Sequence, residues 1–207
     1  MDKIRLIIID DDPDWISAMK LFLKNEAGLE IVATTQCGAQ AEEIIKTVPA
    51  DVILMDIHLA DEEHDGIFLA ANLLLNHPLK IIMLTSSNEE NQILDSFAAG
   101  AVNYVNKTNY REIPAAVKAA YGASTPADVL LRDYARLRER EMLQMLTPTE
   151  KEIIRLLDEG YTHSQIRKML YKSESTLKNQ INTLLKKLEV KNTREALMKI
   201  RTKGIIR

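Results

Sequence analysis

The 207-residue chain predicts two folds in series. The first is an α/β domain with a doubly wound, five-stranded parallel sheet; the second is an all-α domain of four helices. Two patterns carry this reading. Five short aliphatic runs recur as far as residue 105, separated by stretches of helical spacing, whereas the last sixty residues show helical spacing alone. Charge divides in the same way. Residues 147–207 hold 14 of the 27 basic and 7 of the 30 acidic residues, a net of +7; residues 1–146 keep 13 and 23, a net of −10. An acidic half joined to a basic half separates two tasks, and the basic half suits a polyanion.

The runs are "IRLIII" at 4–9, "EIVAT" at 30–34, "DVILM" at 51–55, "KIIML" at 80–84 and "VNYV" at 102–105. They are continuous rather than alternating, as expected of strands covered on both faces. Between them, Trp15, Met19, Phe22 and Leu23 follow helical spacing, as do Ile93, Leu94, Phe97 and Ala98. Pro13 suits a first helical turn, and Gly100 stands where the helix before the last strand ends. Right-handed crossovers then wind the helices onto both faces.

Several classes are excluded by composition. No apolar run approaches the roughly 18 residues of a membrane span. "RLIII" is too short for a signal-peptide core and lacks a small-residue cleavage site. The lone Cys37 rules out a disulfide framework and a cysteine-rich zinc module. A cytoplasmic protein is the expectation.

The polar residues after each strand carry the chemistry. Asp10 and Asp11 end the first strand, Asp56 the third, Thr85 the fourth, and Lys107 follows the fifth. In a parallel sheet these positions share the carboxyl edge, where open α/β sheets bind ligands. Adjacent carboxylates repel, so "IIIDDDPDW" marks either a solvated turn or a site that expects a cation. Asp10, Asp11 and Asp56 together suit Mg²⁺, which takes oxygen ligands in an octahedron and keeps waters. Lys107 and Thr85 would meet an anion opposite the metal.

This constellation, over residues 3–122, resembles the flavodoxin-like receiver domain of bacterial two-component response regulators. The resemblance implies that Asp56 accepts a phosphoryl group from a sensor histidine kinase. It also implies that Asp10 and Asp11 bind Mg²⁺, Thr85 reads the phosphate, Lys107 pairs with it, and Tyr104 moves in the switch. Two features depart from the family pattern. "DIHLADEEHDG" has Leu59 and Ala60 where a Met-Pro-like pair is common, and reaches Asp65-Gly66 two residues late, adding Asp61, Glu62 and Glu63 beside the site. Asp12 stands where relatives often carry histidine.

Residues 123–145 read as a helical linker, with Leu130, Tyr134 and Leu137 at helical spacing and four arginines against four acids. From Leu146 the helices are punctuated clearly. Thr147, Pro148 and Glu150 form a capping box around a first helical proline, and Gly160 stops that helix. Thr162 opens a short second helix and Ser173 caps a third, whose buried stripe is Leu177, Ile181, Leu184, Leu185 and Leu188. A fourth begins near Asn192. A short helix, a turn and a longer helix form a helix-turn-helix, whose second helix enters the major groove.

"LTPTEKEII", "EGYTHSQI", "SESTLKNQINTLLKKL" and "TREA" resemble the LuxR-type DNA-binding domain of the NarL/FixJ class, over residues 146–207. By that resemblance Lys178 and Asn179 meet DNA, and Lys186 and Lys187 lie near phosphates. Lys172 and Thr176 share the approach, with Arg167 and Lys168 as further phosphate contacts. Gln180 replaces a common histidine, and Glu189 stands where glycine commonly ends the recognition helix. Glutamine can pair with adenine in the major groove. The last helix, Glu195 to Ile200, is by resemblance a dimer face.

The chain therefore reads as a phosphoacceptor transcription regulator rather than an enzyme. DNA, a sensor kinase and a second copy after phosphorylation are its implied partners. A phosphorylation-independent receiver-like transcription factor is the first alternative. The second is a haloacid-dehalogenase-type phosphatase using Asp10 and Asp12, which needs Thr or Val where Asp14 stands.

Overall fold

The computed structural model describes residues 3–59, 66–87, 89–122 and 126–202. The acidic segment with Asp61, Glu62, Glu63 and Asp65 lies outside these residues. The chain divides into two compact units, Met1–Tyr134 and Ala135–Arg207.

The first unit is built on five strands, β1 (Ile4–Ile9), β2 (Leu29–Thr35), β3 (Val52–Asp56), β4 (Lys80–Thr85) and β5 (Asn103–Asn106). All pair in parallel, in the order β2-β1-β3-β4-β5. The helices between and after them are α1 (Pro13–Leu23), α2 (Gly38–Thr47), α3 (Gly66–Asn76), α4 (Glu90–Ala98) and α5 (Ile113–Tyr121), the last preceded by a 3₁₀ segment, Lys107–Glu112. The period of two explains why β1 is apolar on both faces apart from Arg5, which pairs with Asp51. Ile4, Leu6 and Ile8 join Met19 of α1 and Val117 of α5 in one core, while Ile7 and Ile9 join Ala41 of α2 and Leu73 of α3 in another. Both faces of the central β3 and β4 are sealed, so their polar groups stand only at the strand ends.

α6 (Pro126–Met145) crosses the division between the units and spans roughly 30 Å. Its Leu130 and Leu137 are 70% and 56% exposed. The second unit contains α7 (Pro148–Asp158), α8 (His163–Met169), α9 (Glu174–Lys187) and α10 (Thr193–Thr202). Its cores join Ile153, Ile154 and Leu156 of α7 to Leu177, Ile181 and Leu184 of α9. Ala196 and Ile200 belong to that interior, so the inward side of α10 packs the domain itself. No described helix is long and apolar enough to cross a membrane.

Local chemistry sets the helix ends. Thr147 and Glu150 exchange capping-box hydrogen bonds, Thr162 and Gln165 do the same for α8, and Ser173 Oγ accepts from the Thr176 N–H. Glu150 is buried, yet Lys187 and the Thr147 N–H hold it against that burial, and its carboxyl lies below the usual carboxylate range. That stabilisation is present above the ordinary carboxylate pKa and is lost as pH falls through the depressed one. Glu150→Gln is expected to flatten this part of an acid-unfolding curve followed by circular dichroism.

The helix C-termini share one hydrogen-bond pattern. After α4, α7, α8 and α9 the residue past the cap is left-handed, and its N–H and the next one return to helix carbonyls. Gly100 and Gly160 hold two of these positions, whereas Tyr171 (φ 49°) and Glu189 (φ 53°) hold the others. A Cβ is disfavoured there by about 1 kcal/mol. Glu189→Gly is therefore expected to stabilise the second unit by about that free energy, read as a higher melting temperature; an unchanged or lower value would contradict it.

Candidate functional site

The carboxyl edge of the sheet gathers its polar residues because strand register leaves them no other place. Ile9 pairs with Met55, so Asp10 and Asp56 follow side by side; Asp56 pairs with Leu84, and Thr85 with Asn106, next to Lys107. Ligand oxygens of Asp10, Asp11 and Asp56 lie within 4.8 Å of one another. Lys107 Nζ stands 2.7 Å from Asp10 Oδ2 and 2.8 Å from Asp56 Oδ2, its side chain 12% exposed.

The electrostatics follow from burial. Asp10 is fully buried. Burial pushes its carboxyl above the usual range, the Lys107 ammonium pulls it back, and the neighbouring Asp56 charge raises it again. Burial alone would lower Lys107, but its contacts with Asp10 and Asp56 outweigh this and hold the ammonium above its ordinary pKa. Asp10 Oδ2 meets the Lys107 ammonium at 2.7 Å and has no other donor among the described residues. An under-satisfied buried oxygen beside two further carboxylates fits a hard, oxygen-seeking cation such as Mg²⁺.

The remaining predicted residues fall around this centre. Thr85 is fully buried, its hydroxyl oxygen accepting from the Ser87 N–H at 3.0 Å. The Tyr104 hydroxyl donates to the Ser87 carbonyl at 2.7 Å, so the aromatic and the threonine meet the same short loop. Asp56 Oδ1 accepts from the His58 N–H at 3.3 Å.

Asp12 has a different duty. It is exposed, and its Oδ1 accepts from the N–H groups of Asp14 and Trp15, capping α1. A phosphatase pair of Asp10 and Asp12 would need this carboxylate facing the reacting phosphate, and it is committed to its own helix.

Two further residues shape the site without appearing in its motif. Lys107 Nζ lies over the Trp15 ring, 4.9 Å from the centroid. Gly66, the first residue of α3, comes so close that a Cβ there would meet the Asp56 carbonyl oxygen at 1.8 Å. The Asp-Gly pair after the acceptor strand was the available sequence signal for Gly66. The Trp15 contact had none, because it joins distant parts of the chain.

In the second unit α9 buries Leu177, Ile181 and Leu184 and exposes Thr176, Lys178, Asn179 and Lys186, with Gln180 half-buried. Lys178, Asn182 and Arg167 line an open groove of about 540 Å³ that also reaches Lys191. Lys168 is exposed, and Lys172 lies half-buried just before the Ser173 cap. Lys187, expected near phosphates, has a partner within the domain. Its Nζ is 2.8 Å from the buried Glu150 Oε2, and it ties α9 to the start of α7.

A parallel α/β domain with carboxylates, lysine and threonine at one edge, followed by a helix-turn-helix domain, defines a two-domain response regulator. The chain belongs to that family: the response regulator receiver domain matches residues 6–118, and the bacterial regulatory proteins of the luxR family match residues 144–200. It is similar to the response regulator protein VraR of Staphylococcus saprophyticus, 28% identical over 200 residues, covering 94% of this chain and 95% of that protein. The transcriptional regulatory protein DegU of Brevibacillus brevis is 28% identical over 220 residues, covering 95% and 92%. Among solved structures, RcsB from Salmonella enterica serovar Typhimurium, bound to promoter rprA with the phosphomimetic BeF₃⁻, shares the fold at TM-score 0.55 and 23% identity, covering 94% of this chain and 97% of that one. This arrangement of receiver and LuxR-type domain is that of the NarL/FixJ class, whose members regulate transcription.

Proposed function

We propose that Asp56 accepts a phosphoryl group from a sensor histidine kinase. A carboxylate oxygen of Asp56 attacks phosphorus, the bond from phosphorus to the donor nitrogen breaks, and the donor keeps that electron pair. Phosphoryl transfer asks for charge neutralisation and in-line positioning more than for covalent help. Asp10, Asp11 and Asp56 hold Mg²⁺, which when bound neutralises charge on the transferring group. Lys107 pairs with the phosphoryl oxygens, Thr85 donates its hydroxyl to them, and Tyr104 follows the Ser87 loop as it moves. The single observation that carries this reading is Lys107 Nζ within 2.8 Å of both Asp10 and Asp56 at the sheet edge.

Phosphorylation then favours a homodimer that sets two α9 helices into the major groove of two half-sites. Lys178, Asn179, Gln180 and Thr176 meet the DNA along α9, while Lys186, Lys172, Arg167 and Lys168 meet phosphates. Phosphate contacts make affinity fall with salt; base contacts choose the sequence. Lys187 contributes chiefly through Glu150, so Lys187→Ala should lower stability more than it lowers the salt dependence of binding.

Sedimentation of the full chain with Mg²⁺, with and without beryllium fluoride, tests the switch, with Asp56→Asn alongside. A shift from monomer to dimer in the wild type alone is expected. Identical sedimentation of both proteins under all conditions would remove the phospho-switch and leave the DNA-binding reading to stand separately.

A further inference from the structure

Lys107 has one partner that the carboxylate chemistry does not require. Its Nζ lies over the face of Trp15, 4.9 Å from the ring centroid, while Asp10 and Asp56 hold it at 2.7 and 2.8 Å. Trp15 is half-buried against the α1-side core, and its backbone N–H is fixed by the Asp12 cap at 3.1 Å. It is also the one tryptophan in the chain. An indole face is the strongest aromatic partner for a cation, and removal from water strengthens the attraction.

We propose that Trp15 is a positioning residue for Lys107. The ring bounds the ammonium from α1, an element that carries none of the site's carboxylates. It therefore keeps Lys107 in place while its partner at position 56 changes from a carboxylate to an acyl phosphate. A flexible lysine side chain loses considerable rotamer freedom on pairing, and a fixed ring face removes part of that loss in advance. The same contact makes Trp15 a native fluorescent reporter, since the position of a cation over an indole alters its emission. The proposal rests on the reading of Asp56 as phosphoacceptor.

The test uses the full chain, Mg²⁺ and beryllium fluoride, with occupancy read by ¹⁹F NMR in the wild type, Trp15→Phe and Trp15→Leu. Trp15→Leu is expected to weaken beryllium fluoride binding roughly 3- to 30-fold, and Trp15→Phe to recover most of it. Wild-type tryptophan emission is expected to change saturably over the same titration. Leucine and phenylalanine variants that bind equally, whether as well as wild type or in step with a shared loss of melting temperature, would overturn the role of Trp15. A wild type with no bound ¹⁹F signal and no labelling by acetyl phosphate would instead overturn the phosphoacceptor reading on which the proposal stands.

Discussion

Gly66→Ala is expected to stop phosphorylation at Asp56 and to lower the melting temperature of the receiver unit by roughly 9–15 °C, from about 3 kcal/mol of lost stability. The added Cβ would lie 1.8 Å from the Asp56 carbonyl oxygen, 2.9 Å from its carbonyl carbon and 3.0 Å from the Ile57 oxygen. All three neighbours are backbone, so no side chain can rotate away. The Gly66 N–H also donates to the Ile57 carbonyl at 2.8 Å, which holds the two segments together. Relief requires moving either the start of α3 or the end of β3, and the end of β3 is Asp56 itself. Misplacing a reacting group by about 1 Å can cost a hundredfold in rate. Calorimetry and acetyl phosphate labelling followed on phosphate-affinity gels measure the two effects. A variant that melts lower but labels at the wild-type rate would show that α3, not the acceptor, absorbs the overlap.

Saturating Mg²⁺ is expected to stabilise the wild type and leave Asp10→Asn unmoved, whereas in a chelator the asparagine variant is the more stable of the two. Asp10 is fully buried, has only the Lys107 ammonium at its Oδ2 among the described residues, and has its ionised form disfavoured by burial and by Asp56, with Lys107 compensating only in part. An amide keeps the shape and removes the charge; Lys107 keeps Asp56 as its partner at 2.8 Å, so the change relieves carboxylate repulsion and the burial of an ionised group without orphaning the ammonium. A cation bound at a hundred times its dissociation constant adds about 2.7 kcal/mol to the wild type. Scanning calorimetry in magnesium chloride and in EDTA reads both. An equal shift in the two proteins would place the cation elsewhere.

Much of this arrangement was legible beforehand, for identifiable reasons. A parallel sheet buried on both faces writes each strand as an unbroken aliphatic run, and β1, β3 and β4 lie within a residue or two of "IRLIII", "DVILM" and "KIIML". Once the strands are parallel, the residues after them must share an edge, so Asp10, Asp56, Thr85 and Lys107 meet without any knowledge of side-chain packing. Capping by Thr147 and Ser173 is equally local. What escaped were contacts across the chain. Nothing near Lys187 announces Glu150, 37 residues away, and nothing near Trp15 announces Lys107. Asp12 stood in the sequence as the partner of Asp10 in the phosphatase alternative; Pro13 starts a helix immediately after it and turns it into a cap.

The Gly66 contact also sets what this protein tolerates in evolution and in engineering. Because the Gly66 N–H and the Ile57 carbonyl close the segment between them, the number of residues inside is decoupled from the position of Asp56. Doubling the length of a closed loop costs only about 0.6 kcal/mol of chain entropy. A change in the number of residues between Ile57 and Gly66 is thus expected to leave the acceptor strand in register.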